Sequence, residues 1–415
     1  MMSTTLTTPY SLAIGLERSH VPKSAKKIPL DVYYPLILTA HDNLTDQDSK
    51  PTPEHTSKPT PSSLEYLYSA LSSIDETIKN PDCETISISP VVIQSLIAKL
   101  TSSDSNHHTT SLKKILLNIA SIITKTPAHI NHSTSSYPDD PPYHHYNWIV
   151  SVIKTPATPP HSLQNIYHRL TLISKRLAYP HDLNLTNLFA LLPNIAWCNQ
   201  GPILAEDIES YRLSQALATP PLLITHVDKF PYLVNYHIPS GVRIADGARA
   251  RLGAYLGEGS TIMPAGYVNF NAGTKGSAMI EGRISAGVTV AAQSDLGGGS
   301  SVMGTLSGGG KEQITIAAKC LIGANAGTGI SLGFGTTIGA GVYVTAGSKV
   351  HLRTADNKPC DLNGTVVKDG ENIVKALVLS GREKLLFYTE SHTGKLICKP
   401  NPKSAELNPI LHQNS

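Results

Sequence analysis

What this chain lacks narrows its chemistry first. Residues 241–350 contain no histidine. No apolar run approaches the roughly 20 residues that a membrane-crossing helix needs, so no membrane partner is expected. Residues 1–18 lack a basic start followed by a long apolar region, so they do not read as a secretory leader. Charge of one sign is also missing. Lys and Arg number 34 against 31 Asp and Glu, a net charge of +3, which gives no nucleic-acid footprint. The five cysteines (Cys83, Cys198, Cys320, Cys360, Cys398) are odd in number, scattered and without CxxC spacing. That pattern fits reduced thiols in a cytoplasm and excludes a disulfide scaffold.

Glycine, by contrast, is concentrated. Residues 241–350 hold 25 of the 31 glycines. Aliphatic or small apolar residues recur there every six positions: Ile244, Ala250, Leu256, Ile262 and Val268, then Ile284, Val290, Leu296 and Val302. The period continues through Ile316 and Ile322, and through Leu332, Ile338, Val344 and Val350. Six is neither a helical period nor that of an ordinary sheet. It predicts hexapeptide coils of a parallel β-helix, each unit one flat face with its aliphatic side chain inward. At 415 residues the chain is long enough for two or three domains. The fold class expected is mainly β: a left-handed parallel β-helix over 236–352, an α/β domain over 1–235 and a small β domain over 353–415.

Within 1–235 the best early strand is 28–38. Helices are expected at 64–79, at 89–100 with Ser89 as N-cap and Pro90 in the first turn, at 111–126, 162–177 and 208–217. Residues 184–199, with Phe189, Leu191, Leu192, Ile195 and Trp197, read as buried, and 222–227 as a strand. Residues 40–62, 101–110 and 127–161 are low-complexity and read as solvated inserts. The last includes an apolar island at 147–153 with Trp148. Its histidines are irregularly spaced and interrupted by proline, which argues against a metal tract. Beyond 350, a hairpin or loop is expected at 356–370, strands at 373–379, 384–388 and 395–399, and a short helix at 405–412.

The six-residue period breaks at 269–280 and 303–314, and breaks in a solenoid are where function is grafted. The second break carries Gly304, then Gly308-Gly309-Gly310-Lys311. It reads either as a surface loop or as an arm whose backbone N–H groups approach an anion. The missing histidines exclude a zinc hydratase and a histidine-base acyltransferase built from this region alone. A carboxylate must then serve. The candidates are Asp246, Glu258, Glu281, Asp295 and Glu312, and Glu281 stands at the first break beside Gly282-Arg283. An exposed ion pair between Glu281 and Arg283 is the plainer alternative, worth at most about 1 kcal/mol.

Several stretches resemble one family. They are Val227-Asp228-Lys229-Phe230-Pro231, Gly241-Val242-Arg243-Ile244-Ala245-Asp246, residues 268–274, Met279-Ile280-Glu281-Gly282-Arg283, and Ser294-Asp295-Leu296-Gly297-Gly298-Gly299 with residues 303–310. Together they resemble tetrahydrodipicolinate N-succinyltransferases of the long subtype, over about 167–412. The resemblance implies succinyl transfer from succinyl-CoA to the amine of ring-opened tetrahydrodipicolinate, in lysine and diaminopimelate synthesis. It implies a cytoplasmic homotrimer with sites between neighbouring β-helices. It implies Glu281 as the catalytic glutamate, an acyl-anhydride nucleophile by family assignment. A general base fits the residue type equally. It implies Gly304 near the thioester oxyanion. Succinyl-CoA contacts would fall on Arg283, Gly298, Ser301, Ala324, Gly339, Ala340, Gly347 and Lys375, and on Tyr388-Thr389-Glu390-Ser391. That last segment replaces a more basic family pattern, so Arg382 or Lys384 is expected to take part of the 3′-phosphate contact. Ala248 and Ala265 stand where relatives carry two acidic ligands of an axial magnesium, so no metal or other cofactor is expected. Another CoA-dependent acyltransferase, or an inactive β-helix subunit, are the alternative readings.

Overall fold

A computed structural model of the chain describes residues 9–20, 26–40, 63–80, 82–102, a few positions between 114 and 121, 143–217, 219–306 and 312–402. These fall into two compact units. One comprises Met1–Arg169 and Leu183–Phe230, the other Leu170–Asp182 and Pro231–Ser415.

The first unit is built on a four-stranded antiparallel sheet. Its order is Ile28–Thr39, Ser11–His20, His145–Ile153, Thr85–Ser87. Helices Ser63–Ser72 and Pro90–Ser102 bury Leu64, Leu67, Ile93 and Leu96 with Leu12, Ile14 and Val150 of the sheet. Ser89 Oγ accepts from Val92 N at 3.3 Å, the expected cap. A second sheet pairs Ile195–Cys198 with both Gly201–Leu204 and Ile224–Asp228.

Two expectations are overturned. Residues 145–153 are not a solvated insert: they form an interior strand paired along its whole length with Ser11–His20. The run Trp148-Ile149-Val150-Ser151-Val152-Ile153 is β-branched and apolar, which suits a buried strand, and the polar flanks hid it. Ser11–His20 was equally unread, because its alternation is blurred by Gly15. Phe189 is 60% exposed, although its neighbours Leu188 and Leu192 are buried. The inserts at 40–62 and 103–113, most of 111–126 and the helix expected at 405–412 lie outside the described residues.

The second unit is a parallel β-helix. Its first face stacks Arg243–Ile244, Thr261–Ile262, Ala278–Ile280, Ser294–Leu296, Leu321–Ile322 and Thr337–Ile338. The second stacks Tyr267–Val268, Arg283–Ile284, Ser301–Val302, Gly327–Thr328 and Tyr343–Val344. The third stacks Ala254–Leu256, Ala272–Thr274, Thr289–Val290 and Thr315–Ile316. The residues of the six-residue period from Ala250 to Val350 form one buried column.

The structure relocates the first break. Val268, Thr274 and Ile280 are all buried and six apart, so the period runs on through 269–280. Thr274 fills an inward slot that only an apolar residue was expected to occupy. Its hydroxyl is satisfied by Ser260 Oγ at 2.6 Å, which removes the usual cost of a buried polar group. The real irregularity follows it, where Ile280 is succeeded by Ile284. Thr328 plays the same part before Leu332, donating its hydroxyl to Ile330 O at 2.7 Å. One glycine is indispensable to the stack: at Gly273 (φ +152°) a Cβ would lie 1.8 Å from Tyr255 O.

The strand Leu385–Thr389 extends the first face, pairing parallel with Thr337–Ile338, and Phe387 closes the column. Leu396–Pro400, Lys349–Leu352 and Ile373–Lys375 continue that sheet. The strand expected at 373–379 stops at Lys375. A 3₁₀ turn, Ala376–Leu379, follows with Ala376 and Leu379 buried three apart.

Candidate active site

Glu281 lies on a shortened corner. Strands Ala278–Ile280 and Arg283–Ile284 are joined by Glu281 and Gly282 alone. The same corner is Met263 to Gly266 one coil earlier and Gly297 to Ser300 one coil later. Gly282 permits this, since a Cβ there would meet Ser300 Oγ at 2.0 Å. The Glu281 carboxylate is half-buried and takes no hydrogen bond or ion pair from any described residue. Arg283 does not pair with it: Nη2 donates to Ser301 Oγ at 2.7 Å. The ion-pair alternative therefore fails. Of the other carboxylates, Asp246 is engaged. Asp246 Oδ1 accepts from Ala248 N at 2.9 Å, Glu258 packs over Gly241, and Glu312 is exposed at the base of the Gly304 loop.

From Glu281 a track runs along the β-helix axis on this one corner. A Cβ at Gly298 would lie 3.6 Å from Glu281 Oε2. Gly298 O accepts from Asn325 N at 2.8 Å, and Ala324 O accepts from Gly341 N at 2.9 Å. Gly339 N donates to Phe387 O at 2.8 Å, beside Tyr388. Gly298, Ala324, Gly339 and Ala340 carry nothing beyond a Cβ, so the corner is an open path bounded by Tyr388. Four coil steps of about 4.8 Å separate its ends, roughly 19 Å.

Arg283 and Ser301 stand outward on the adjoining second face as direct partners in register. Gly347 and Lys375 form a separate cluster. Lys349 pairs with Lys375 and Ala376 N donates to Ser348 O at 2.8 Å; a Cβ at Gly347 would meet nothing within 4 Å. Gly304 lies at the far end of the second face, stacked on Ala286 O. Its own N–H donates to no described residue, while its carbonyl accepts from Ile314 N at 3.3 Å. The loop it opens begins as a narrow ladder, Thr305 opposite Gln313; residues 307–311, with the triple glycine, lie outside the described residues.

In the 388–391 segment, Glu390 is engaged by Thr393 Oγ1 at 2.5 Å and Arg353 at 3.7 Å, and Thr389 and Ser391 are exposed. Arg382 turns to the carbonyls of Val378 and Leu362. Sequence reasoning missed Lys399, whose ammonium lies 5.5 Å over the Tyr388 ring; only the pairing of Tyr388 with Ile397 reveals that neighbourhood. It also missed His181. The coils contain no histidine in sequence, yet residues 170–182 belong to their unit. His181 Nε2 lies 2.7 Å from Gly287 O, and its N–H donates to Asn271 Oδ1 at 2.9 Å. Held as a donor to a carbonyl, that nitrogen is not a free base.

Two family models match the chain. One, described as the hexapeptide repeat of succinyl-transferase, covers residues 313–346; the other, tetrahydrodipicolinate N-succinyltransferase middle, covers 192–232. A 2,3,4,5-tetrahydropyridine-2,6-dicarboxylate N-succinyltransferase of Pseudomonas paraeruginosa is 48% identical over 267 residues, 64% of this chain and 74% of the relative. This chain belongs to the tetrahydrodipicolinate N-succinyltransferase family. The family relative of the same name in Vibrio cholerae is 48% identical over 269 residues, 64% of this chain and 75% of the relative. Among solved structures, a putative 2,3,4,5-tetrahydropyridine-2-carboxylate N-succinyltransferase of Campylobacter jejuni aligns with a TM-score of 0.73 at 26% identity. It covers 98% of this chain and 96% of its own.

Proposed function

We propose that this acyltransferase moves a succinyl group from succinyl-CoA to the amine of 2-amino-6-oxopimelate, releasing CoA. It thereby serves the succinylase branch of lysine and diaminopimelate synthesis. One observation carries the assignment of the site: the Glu281 carboxylate, without a partner among the described residues, at the head of a track bearing no side chain larger than a methyl. The track suits the extended pantetheine arm. The thioester then lies at Glu281, and the nucleotide lies toward Tyr388, Thr389, Glu390 and Ser391. Arg283 and Ser301 border the succinyl end. The Gly304 N–H, which donates to no described residue, holds the thioester oxyanion in this reading, a donor of the kind worth about 3 kcal/mol in acyl transfer.

Glu281 and Gly304 stand at opposite ends of the second face, on the order of 10 Å apart by strand rise. One chain cannot bring both to one carbonyl. This supports a homotrimer in which Glu281 of one copy and Gly304 of a neighbour complete each site. Gly347 and Lys375 are then reached from the adjoining copy. Ala248 and Ala265 offer no side-chain ligand, so the residues present do not fit an axial magnesium. No helix among the described residues is long and apolar enough to cross a membrane. The five free cysteines support a reducing cytoplasm.

Thiol release from succinyl-CoA with 2-aminopimelate as acceptor tests the activity. Turnover with acetyl-CoA alone would point to a different acyltransferase, and none with either donor to an inactive subunit. A burst of one thiol per site without acceptor would mark Glu281 as nucleophile; its absence would mark it as base. Co-assembly of Glu281→Ala with Gly304→Pro chains tests the shared site. Recovered activity is expected, and none would remove the trimeric arrangement.

A further inference from the structure

The C-terminal elements enclose a cleft of about 300 Å³ that the proposed reaction does not use. Its size is at the lower end for small-molecule sites. The wall is apolar, formed by Leu352, Leu362, Leu379 and Leu385 with the thiols of Cys360 and Cys398. Its charged groups are Arg353, Arg382, Lys399 and Asp361.

The partners of those charges decide what the cleft holds. Asp361 is committed to its own turn: Oδ1 accepts from Asn363 N and Thr365 N, each at 2.9 Å. Arg353 lies 3.7 Å from Glu390. Arg382 meets only neutral oxygens, with Nε donating to Val378 O at 3.1 Å and Nη1 to Leu362 O at 3.4 Å. Lys399 Nζ donates to the Asn357 side-chain oxygen at 3.0 Å. Among the described residues, neither cation has a carboxylate within ion-pair distance. The cations of the cleft outnumber its single carboxylate, Asp361, and that excess beside an apolar wall suits an anion with an apolar body. The body is bound by burial of its area, and the anion by charge-assisted hydrogen bonds.

The cleft is also distinct from the donor track. Leu385 begins the five-residue strand whose other end carries Tyr388 and Thr389. Arg382 O, beside the cleft, accepts from Gly333 N at 3.2 Å. Gly333 lies on the corner between the third and first faces, whereas the track follows the corner between the first and second.

We propose that this cleft is a second ligand site, taking a small carboxylate with an aliphatic body held by Arg382. Calorimetric titration of the full-length protein with octanoate tests it, with 1-octanol as the uncharged control. Saturable binding of one octanoate per chain is expected, unchanged by saturating CoA. Arg382→Gln should weaken it about tenfold, and octanol should bind weaker by a similar factor. Leu362→Trp, which fills the cleft from a partly exposed position, should abolish binding while the thermal midpoint holds. Absence of saturable binding, displacement by CoA, or wild-type binding by both variants would each overturn the proposal.

Discussion

In the first unit the largest buried groups include polar ones. His168 is fully buried, its Nε2 2.9 Å from Ser11 Oγ and its Nδ1 3.2 Å from Ser151 Oγ. Arg169 beside it is 1% exposed, donating to Asn165 Oδ1 at 2.8 Å and Pro156 O at 3.0 Å. In the coils the buried column is aliphatic, and the polar residues that enter it are short hydroxyls such as Thr274 and Thr328. The reason lies in construction. A sheet covered by helices brings distant segments together and can surround a specific imidazole with partners. A coil stack repeats one small slot, which admits an aliphatic side chain no larger than leucine or isoleucine. The coils gain regularity and lose the room for polar machinery inside. Corners leave more room for polar side chains, and the candidate Glu281 stands on one.

The contrast can be broken in several ways, the largest effect first. Glu281→Ala should lower kcat about 10³-fold, within the range for a positioned acid–base or nucleophilic group. The thermal midpoint should stay near wild type, because the carboxylate supports nothing. His168→Asn should do the reverse, leaving turnover within about threefold while lowering stability. Thiol release and thermal melts on both variants check this; a stable, fully active Glu281→Ala would reassign the site.

Gly273→Ala should cost about 3 kcal/mol or more, since backbone strain adds to a collision with a carbonyl oxygen. Gly347→Ala, facing open space, should leave stability unchanged. Denaturant melts compare the two. Equal costs would mean that glycine in the coils serves something other than close approach.

Acid should distinguish the units next. Burial pushes His168 down to about 3, against about 6.5 when unfolded. Between those values the unfolded state binds more protons, so stability is intact above about pH 6.5 and falls as pH drops toward 3. At pH 4.5 the deficit is about 2–3 kcal/mol. His168→Asn should flatten that acid slope. His237, in the other unit but outside the coils, is pushed down to about 4, by burial first and then by Lys175 and Arg176. His237→Asn should flatten the acid slope of the second unit only. Hydrogen exchange resolved by segment, measured from pH 7 to 4.5, separates the two; identical slopes in every variant would refute the assignment.

The smallest effect concerns thiols. Burial pushes Cys398 up to about 12 and Cys320 up to about 11. Both should resist an aromatic disulfide reagent at pH 8 until denaturant is added. Rapid reaction in the native protein would show that the column opens.

Most of the coil architecture was legible in the chain itself. A six-residue period in Ile, Val and Leu permits one fold, and every residue named in it from Ala250 onward is buried. Glu281 was legible as a candidate, by elimination among few carboxylates and by the family resemblance. Its free state was not, because pairing with Arg283 depends on where the guanidinium turns. The strand at 145–153 stayed hidden because composition averages over flanks, while a sheet selects the few residues that match its register. His181 stayed hidden because sequence distance says nothing about which coil a loop returns to. The repeat, the glycine corners and the missing charge excess were thus determined by the sequence alone, since each rests on local sterics or composition. The register that joins Glu281 to Tyr388 along one corner was decided only by the tertiary structure. So were the partners of Arg283 and the cleft beside Arg382, because all of them require segments far apart in the chain to meet.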